Sequence, residues 1–99
     1  MNKPVNETVQ WKNETVEAYT VPMQTCNLVF AIRGNALLAC GAFDLAALEK
    51  FNVAAAKVTG VSCAEELLAG RVQAVNRCAV ERGVSIDELG GDALLKMSV

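Results

Sequence analysis

The sequence contains no histidine. That absence removes the Ser–His and Cys–His pairs, the commonest ways of activating a protein nucleophile. Four cysteines are present, Cys26, Cys40, Cys63 and Cys78, but no two form a Cys-x-x-Cys pair. Their gaps of 14, 23 and 15 residues offer no chelating couple, so no metal site is expected, and no cofactor. Also missing is any basic run or basic–aromatic stripe. Nine basic residues are set against 11 acidic ones, for a net charge of −2. Nucleic-acid binding needs a basic patch to neutralise phosphates, so no nucleic-acid partner is expected. The glycine-rich loop that cradles a phosphate is absent as well.

Two further absences bear on location. Met1–Gln10 is polar and lacks the apolar segment of a signal peptide. The longest mostly apolar stretch, Leu28–Phe43, is broken by Arg33-Gly34-Asn35 and is too short on either side to cross a bilayer. The expectation is a soluble, cytoplasmic protein with no membrane partner and with reduced thiols. An even cysteine count allows three disulfide connectivities, but none is expected in that compartment. The sequons Asn6-Glu7-Thr8 and Asn13-Glu14-Thr15 then carry no sugar.

What is present is apolar residue in quantity. The chain has 99 residues, 53% of them apolar and 20% charged. That length makes one domain with little interior volume. The excess of apolar side chains, much of it alanine, goes either to a tight core or to an interface.

The pattern changes halfway along. Thr8–Lys12 and Thr15–Val21 alternate or are rich in β-branched residues, with a turn at Lys12-Asn13-Glu14, and predict a β-hairpin. Asn27–Ile32 and Ala36–Cys40, apolar on both faces, predict a second hairpin closed by Arg33-Gly34-Asn35. Asp44 is a good N-cap for a helix to about Phe51. Val53–Val58 reads as a short buried strand. Ser62-Cys63-Ala64-Glu65 is a capping box that opens a helix to about Ala69. Helical spacing then runs from Val72 to Arg82, with Gly83 beyond it, and Asp92–Met97 reads as a last short helix. Val84–Leu89 reads as strand or irregular. The sum is one α+β domain, residues 1–99, a mixed α/β two-layer fold in which N-terminal β-hairpins precede alternating short helices and strands.

Three stretches carry a family resemblance: Leu37-Leu38-Ala39-Cys40-Gly41-Ala42-Phe43-Asp44; Val58-Thr59-Gly60-Val61 running into Glu65-Glu66-Leu67-Leu68; and Gly83-Val84 through Gly90 to Asp92-Ala93-Leu94-Leu95-Lys96-Met97. In order and spacing the chain resembles the YunC-like family, a bacterial and archaeal domain of unknown function, from about Pro22 to Met97. The resemblance implies a two-layer α/β fold and a β-rich N-terminal region used for tetramerisation, with no settled activity. The chain departs from the family pattern at Thr25 and Cys26, where a basic residue is common, and at Asp87, where glycine is common.

No motif names a reaction. Cys40 is the one candidate catalytic residue, a thiolate at a strand end with Gly41 letting a substrate approach and Asp44 opening a helix nearby. The blander reading, a buried small hydrophobe, is favoured because no histidine base exists. Asn27, Cys40, Gly41, Asp44, Thr59 and Gly60 are the candidate ligand-binding residues. Against them stand local turn chemistry for Asn27 and a lone glycine signal at Thr59-Gly60. Trp11 and Tyr19, with Val9 and Val16, lie on the N-terminal hairpin. An isolated hairpin is barely stable in water, and large aromatics on an alternating strand typify interface anchors. Residues 1–21 are therefore expected to be an oligomerisation region and residues 22–99 the α/β core, in a homo-oligomer, with a tetramer favoured over a dimer. Three functions stay open: a structural or regulatory module, a small-metabolite binder, and an enzyme using Cys40 as nucleophile near Asp44 and Asn27.

Overall fold

The structure is a computed structural model that describes residues 4–98. Strands β1 (Val5–Trp11) and β2 (Glu14–Pro22) form the first hairpin. Lys12 and Asn13 connect them, both at positive φ (50° and 69°), the twist that suits a two-residue hairpin loop. Trp11 faces Glu14 and Val5 faces Thr20 across the ladder. Strands β3 (Asn27–Arg33) and β4 (Ala36–Ala39) continue the antiparallel meander. Helix α1 (Leu45–Lys50) then carries the chain back to β5 (Ala54–Lys57), which pairs with β4 in parallel, Leu37 opposite Ala55. Helix α2 (Ala64–Ala69), the two-residue β6 (Ala74–Val75), α3 (Arg77–Glu81) and α4 (Gly90–Met97) complete the chain. The six strands lie in the order β1-β2-β3-β4-β5-β6. The fold is α+β. No helix among the described residues is long and apolar enough to cross a membrane.

Alternation along the strands gives the sheet two unequal faces. On one, Val16, Val29, Leu38, Ala54 and Ala56 meet Leu67 and Leu68 of α2 and Leu94 and Met97 of α4 in the main core. On the other, Leu37, Ala39 and Ala55 meet Leu45 and Leu48 of α1 together with Phe43. A helix of six to eight residues is not stable alone, so these contacts hold it, at about 1.5–3 kcal/mol for each leucine fully buried. Ala54, Ala55 and Ala56 are fully buried between the two layers, and their small side chains keep the layers close.

The segment from Val72 to Arg82 departs from its helical periodicity. Gln73 donates its amide to the Lys57 carbonyl (2.8 Å), and Ala74–Val75 pairs with Lys57 and Ala56. Helix begins only after Asn76, whose side chain accepts from the Ala79 amide (3.0 Å). Strand pairing with β5 and the Asn76 cap overrule the spacing of the valines. The capping box is displaced by one residue: Cys63 is the N-cap of α2, and it is Glu66, not Glu65, that accepts from the Ser62 amide (2.8 Å) and hydroxyl (3.1 Å). Val84–Leu89 is irregular apart from a bridge between Arg71 and Leu89. Within it Asp87 holds φ at +77°, the backbone region that favours glycine.

The N-terminal hairpin is tied down at its turn. The Trp11 indole N–H donates to Asp92 Oδ1 (2.9 Å), and the Lys12 ammonium lies 2.9 Å from the same oxygen. The indole lies against Gly91, where an added Cβ would come within 2.3 Å of the ring. Hence α4 starts on two glycines. Gly90 is packed in the same way, with the Leu67 carbonyl 2.5 Å from the place of a Cβ.

Candidate functional site

The two connections that leave the parallel pair β4–β5 part at its carboxyl end. After β4 the chain leaves through Cys40 and Gly41 to α1 on one face of the sheet. After β5 it leaves through Thr59 and Gly60 to α2 on the other. Asn27, at the start of antiparallel β3, arrives at the same end. Its Nδ2 donates to the Ser62 carbonyl (3.1 Å) just ahead of α2. A Cβ at position 41 would lie 3.1 Å from Thr59 Cγ2, so Gly41 and Thr59 are neighbours at this end of the sheet and a larger residue at 41 would press on the Thr59 side chain. Gly60, at φ +76°, faces open space.

The sequence candidates thus converge in part. Asn27, Gly41, Thr59 and Gly60 line one end of the sheet. Asp44 stands close in the chain, but its Oδ1 accepts from the Ala46 and Ala47 amides (3.0 and 3.3 Å) and is engaged in capping α1. Cys40 is turned away: it is 5% exposed, belongs to the main core, and its sulfur accepts the Val29 N–H at 3.4 Å. With no access for a substrate and no histidine, the sulfur fills space and satisfies a backbone amide. Two members of the site were not singled out from the sequence. Ser62 was visible as a capping residue, not as a neighbour of Asn27. Gln73, which accepts from the Thr59 hydroxyl, was hidden inside the apparent helix from Val72.

Electrostatics at this end are mild. Glu66 is held below the usual carboxylate range by the backbone and hydroxyl hydrogen bonds from Ser62. Among the described residues no cluster of His, Cys, Asp and Glu is placed to hold a metal ion. Asn27, Thr59 and Gln73, with the backbone at Gly41 and Gly60, offer neutral donors and acceptors.

The interface candidates divide between the two faces. Val16 is 2% exposed in the main core, Val9 packs against that core, and Trp11 is seated on α4. Val16 is thus taken up within the chain, while Val9 and Trp11 are half-buried against the protein's own core and keep part of their surface exposed. Tyr19 lies on the opposite face, half-buried, stacked on Phe30 with centroids 5.0 Å apart, and Phe30 in turn meets Phe43 at 5.3 Å.

A family model described as "Domain of unknown function (DUF1805)" matches residues 39–97. The chain belongs to the DUF1805 family. The DUF1805 match opens at the end of β4 and so contains Gly41, Asp44, Thr59, Gly60, Ser62 and Gln73, whereas Asn27 and the first three strands precede it. The chain is also similar to the uncharacterized protein YunC of Bacillus subtilis, 31% identical over 84 residues, covering 81% of this chain and 83% of that protein. Its fold is similar to that in the crystal structure of a protein of unknown function, TA1206, from Thermoplasma acidophilum. The TM-score is 0.86 at 15% identity, covering 96% of this chain and 93% of the other. At that coverage the fold likeness extends past the DUF1805 segment to the N-terminal strands.

Proposed function

We propose that the chain is a small-metabolite-binding domain working as a homo-oligomer, with its ligand at the carboxyl ends of β4 and β5. The observation that supports binding is the parting of the two connections, one to α1 and one to α2 on opposite faces. In open α/β sheets ligands bind outside the carboxyl ends of strands where neighbouring connections diverge in this way. The neutral donors and acceptors of Asn27, Thr59 and Gln73 suit a small polar molecule bearing hydroxyl, amide or carbonyl groups. Catalysis through Cys40 draws no support from its buried position.

The test is a metabolite panel read by thermal denaturation. A ligand at a hundredfold excess over its Kd adds about 2.7 kcal/mol to stability. The stabilisation is expected to fall at least tenfold in apparent affinity in Thr59→Val and Asn27→Ala. A panel with no stabilising member, or a stabilisation untouched by both substitutions, overturns the proposal. Alkylation at neutral pH gives a separate check on Cys40. Exposed Cys26 and Cys63 react in the native protein, and Cys40 reacts only on unfolding. Fast labelling of Cys40 would restore the enzymatic alternative.

Assembly is favoured by the aromatic row Tyr19–Phe30–Phe43, which no helix covers at its β2 end. A tetramer is the first expectation and a dimer the second.

A further inference from the structure

Helix α1 covers β4 and β5 but stops short of β3. Between it and the β3–β4 turn lies an open groove of about 250 Å³, lined by Ile32, Ala36, Leu37, Leu48 and Val53. A cavity of roughly 150 Å³ takes a benzene ring, so the groove has room for one aromatic side chain. Beside it stands Phe51, the C-cap of α1, 78% exposed. The chain reverses immediately after it at Asn52, with φ +60°, and the Asn35 amide donates to the Asn52 carbonyl (3.2 Å), fixing that turn on the groove's edge.

Two charges of opposite sign stand on the elements to either side of the groove, Glu17 on β2 and Lys50 on α1. Glu17 lies on the β side, opposite Ile32, which is in turn opposite Leu37. Its carboxylate accepts from Asn6 (3.1 Å) and Thr8 (3.0 Å) and has no cation partner among the described residues. Lys50 lies on the helix side, exposed, with no carboxylate partner among the described residues. A two-fold axis along the groove sets each copy's helix margin against the other's β margin, because an isologous interface is self-complementary.

We propose that this face docks a second copy of the chain, with Phe51 of each protomer entering the other's groove against Ile32 and Leu37 and Glu17 meeting the partner's Lys50. The inference rests on the homo-oligomer reading above and names its contact.

The experiment is sedimentation over a concentration series. The natural sequence is expected to self-associate. Phe51→Asp, at an exposed position, should keep the circular dichroism of the parent and weaken association at least tenfold. Glu17→Lys should also weaken it, and Glu17→Lys combined with Lys50→Glu should restore it. Undiminished association in Phe51→Asp, or no rescue by the double charge reversal, overturns this contact and leaves self-association standing. A lone protomer at every concentration overturns both.

Discussion

Asn76 is 5% exposed, and both ends of its amide are used. Its Oδ1 accepts from the Ala55 and Ala79 amides (3.1 and 3.0 Å), and its Nδ2 donates to the Val53 and Leu45 carbonyls (2.9 and 3.3 Å). One side chain therefore does for the outer edge of β5 what β6 is too short to do, and it caps α3 besides. Asn76→Ala leaves these backbone groups buried and unmet, so unfolding in urea is expected to show a loss of about 2–4 kcal/mol. Asp92 supplies a pH-dependent counterpart. The indole N–H of Trp11, and after it Lys12, hold its carboxyl below the usual aspartate range. A depressed folded-state pKa gives stability that is present above the unfolded value, about 3.9, and lost as pH falls through the folded one. Asp92→Asn should melt lower than the parent at pH 7, and the gap should narrow as pH falls below about 4. None of the Asn76 network was legible in the sequence. The valines and alanines around it keep helical spacing, and an asparagine amid them looks like a solvent-facing residue until β5 is seen beside it. Asp44 was legible because capping is a local act that needs only the next three residues.

Among elements, the hairpins, the strand at β5 and the terminal helix follow from period and turn chemistry, and they stand where the sequence places them. The element that does not is the run from Val72, where a long-range ladder with β5 competes with local spacing and wins. The partner of the N-terminal hairpin was equally hidden. Trp11 on an alternating strand fits a foreign surface or the chain's own α4 equally well, and its seat on Gly91 and Asp92 of α4 could not be read from the strand pattern. Gly91→Ala tests that seat. A methyl group 2.3 Å from the indole has to expel it, at a cost of about 1–3 kcal/mol by analogy with overpacked cores. The single tryptophan then reports directly: its emission should shift to the red as the ring enters water. Unchanged emission and stability would mean that α4 gives way instead. Of the candidate site, Gly41, Thr59 and Gly60 were readable as breaks after strands, while their meeting across the parallel pair depends on strand order, which periodicity does not encode.

At the scale of the whole molecule, the two sheet faces differ in how completely they are covered. The face under α2 and α4 is closed, and the face under α1 is open from Phe43 to Tyr19. If copies close it, the melting temperature must rise with protein concentration, because association acts as a ligand for the folded state. A midpoint constant over a hundredfold dilution would argue for a self-sufficient protomer. The alanine strand β5 has a consequence of its own. With Ala54 and Ala56 against one helical layer and Ala55 against the other, only methyl groups separate β5 from the layers on its two faces. A valine at position 55 would lift α1 and spread the groove, and one at position 56 would press on α4. Substitutions at these three positions should therefore be tolerated only within a narrow corridor of side-chain volume, since added methylenes in a filled core cost about 1–3 kcal/mol.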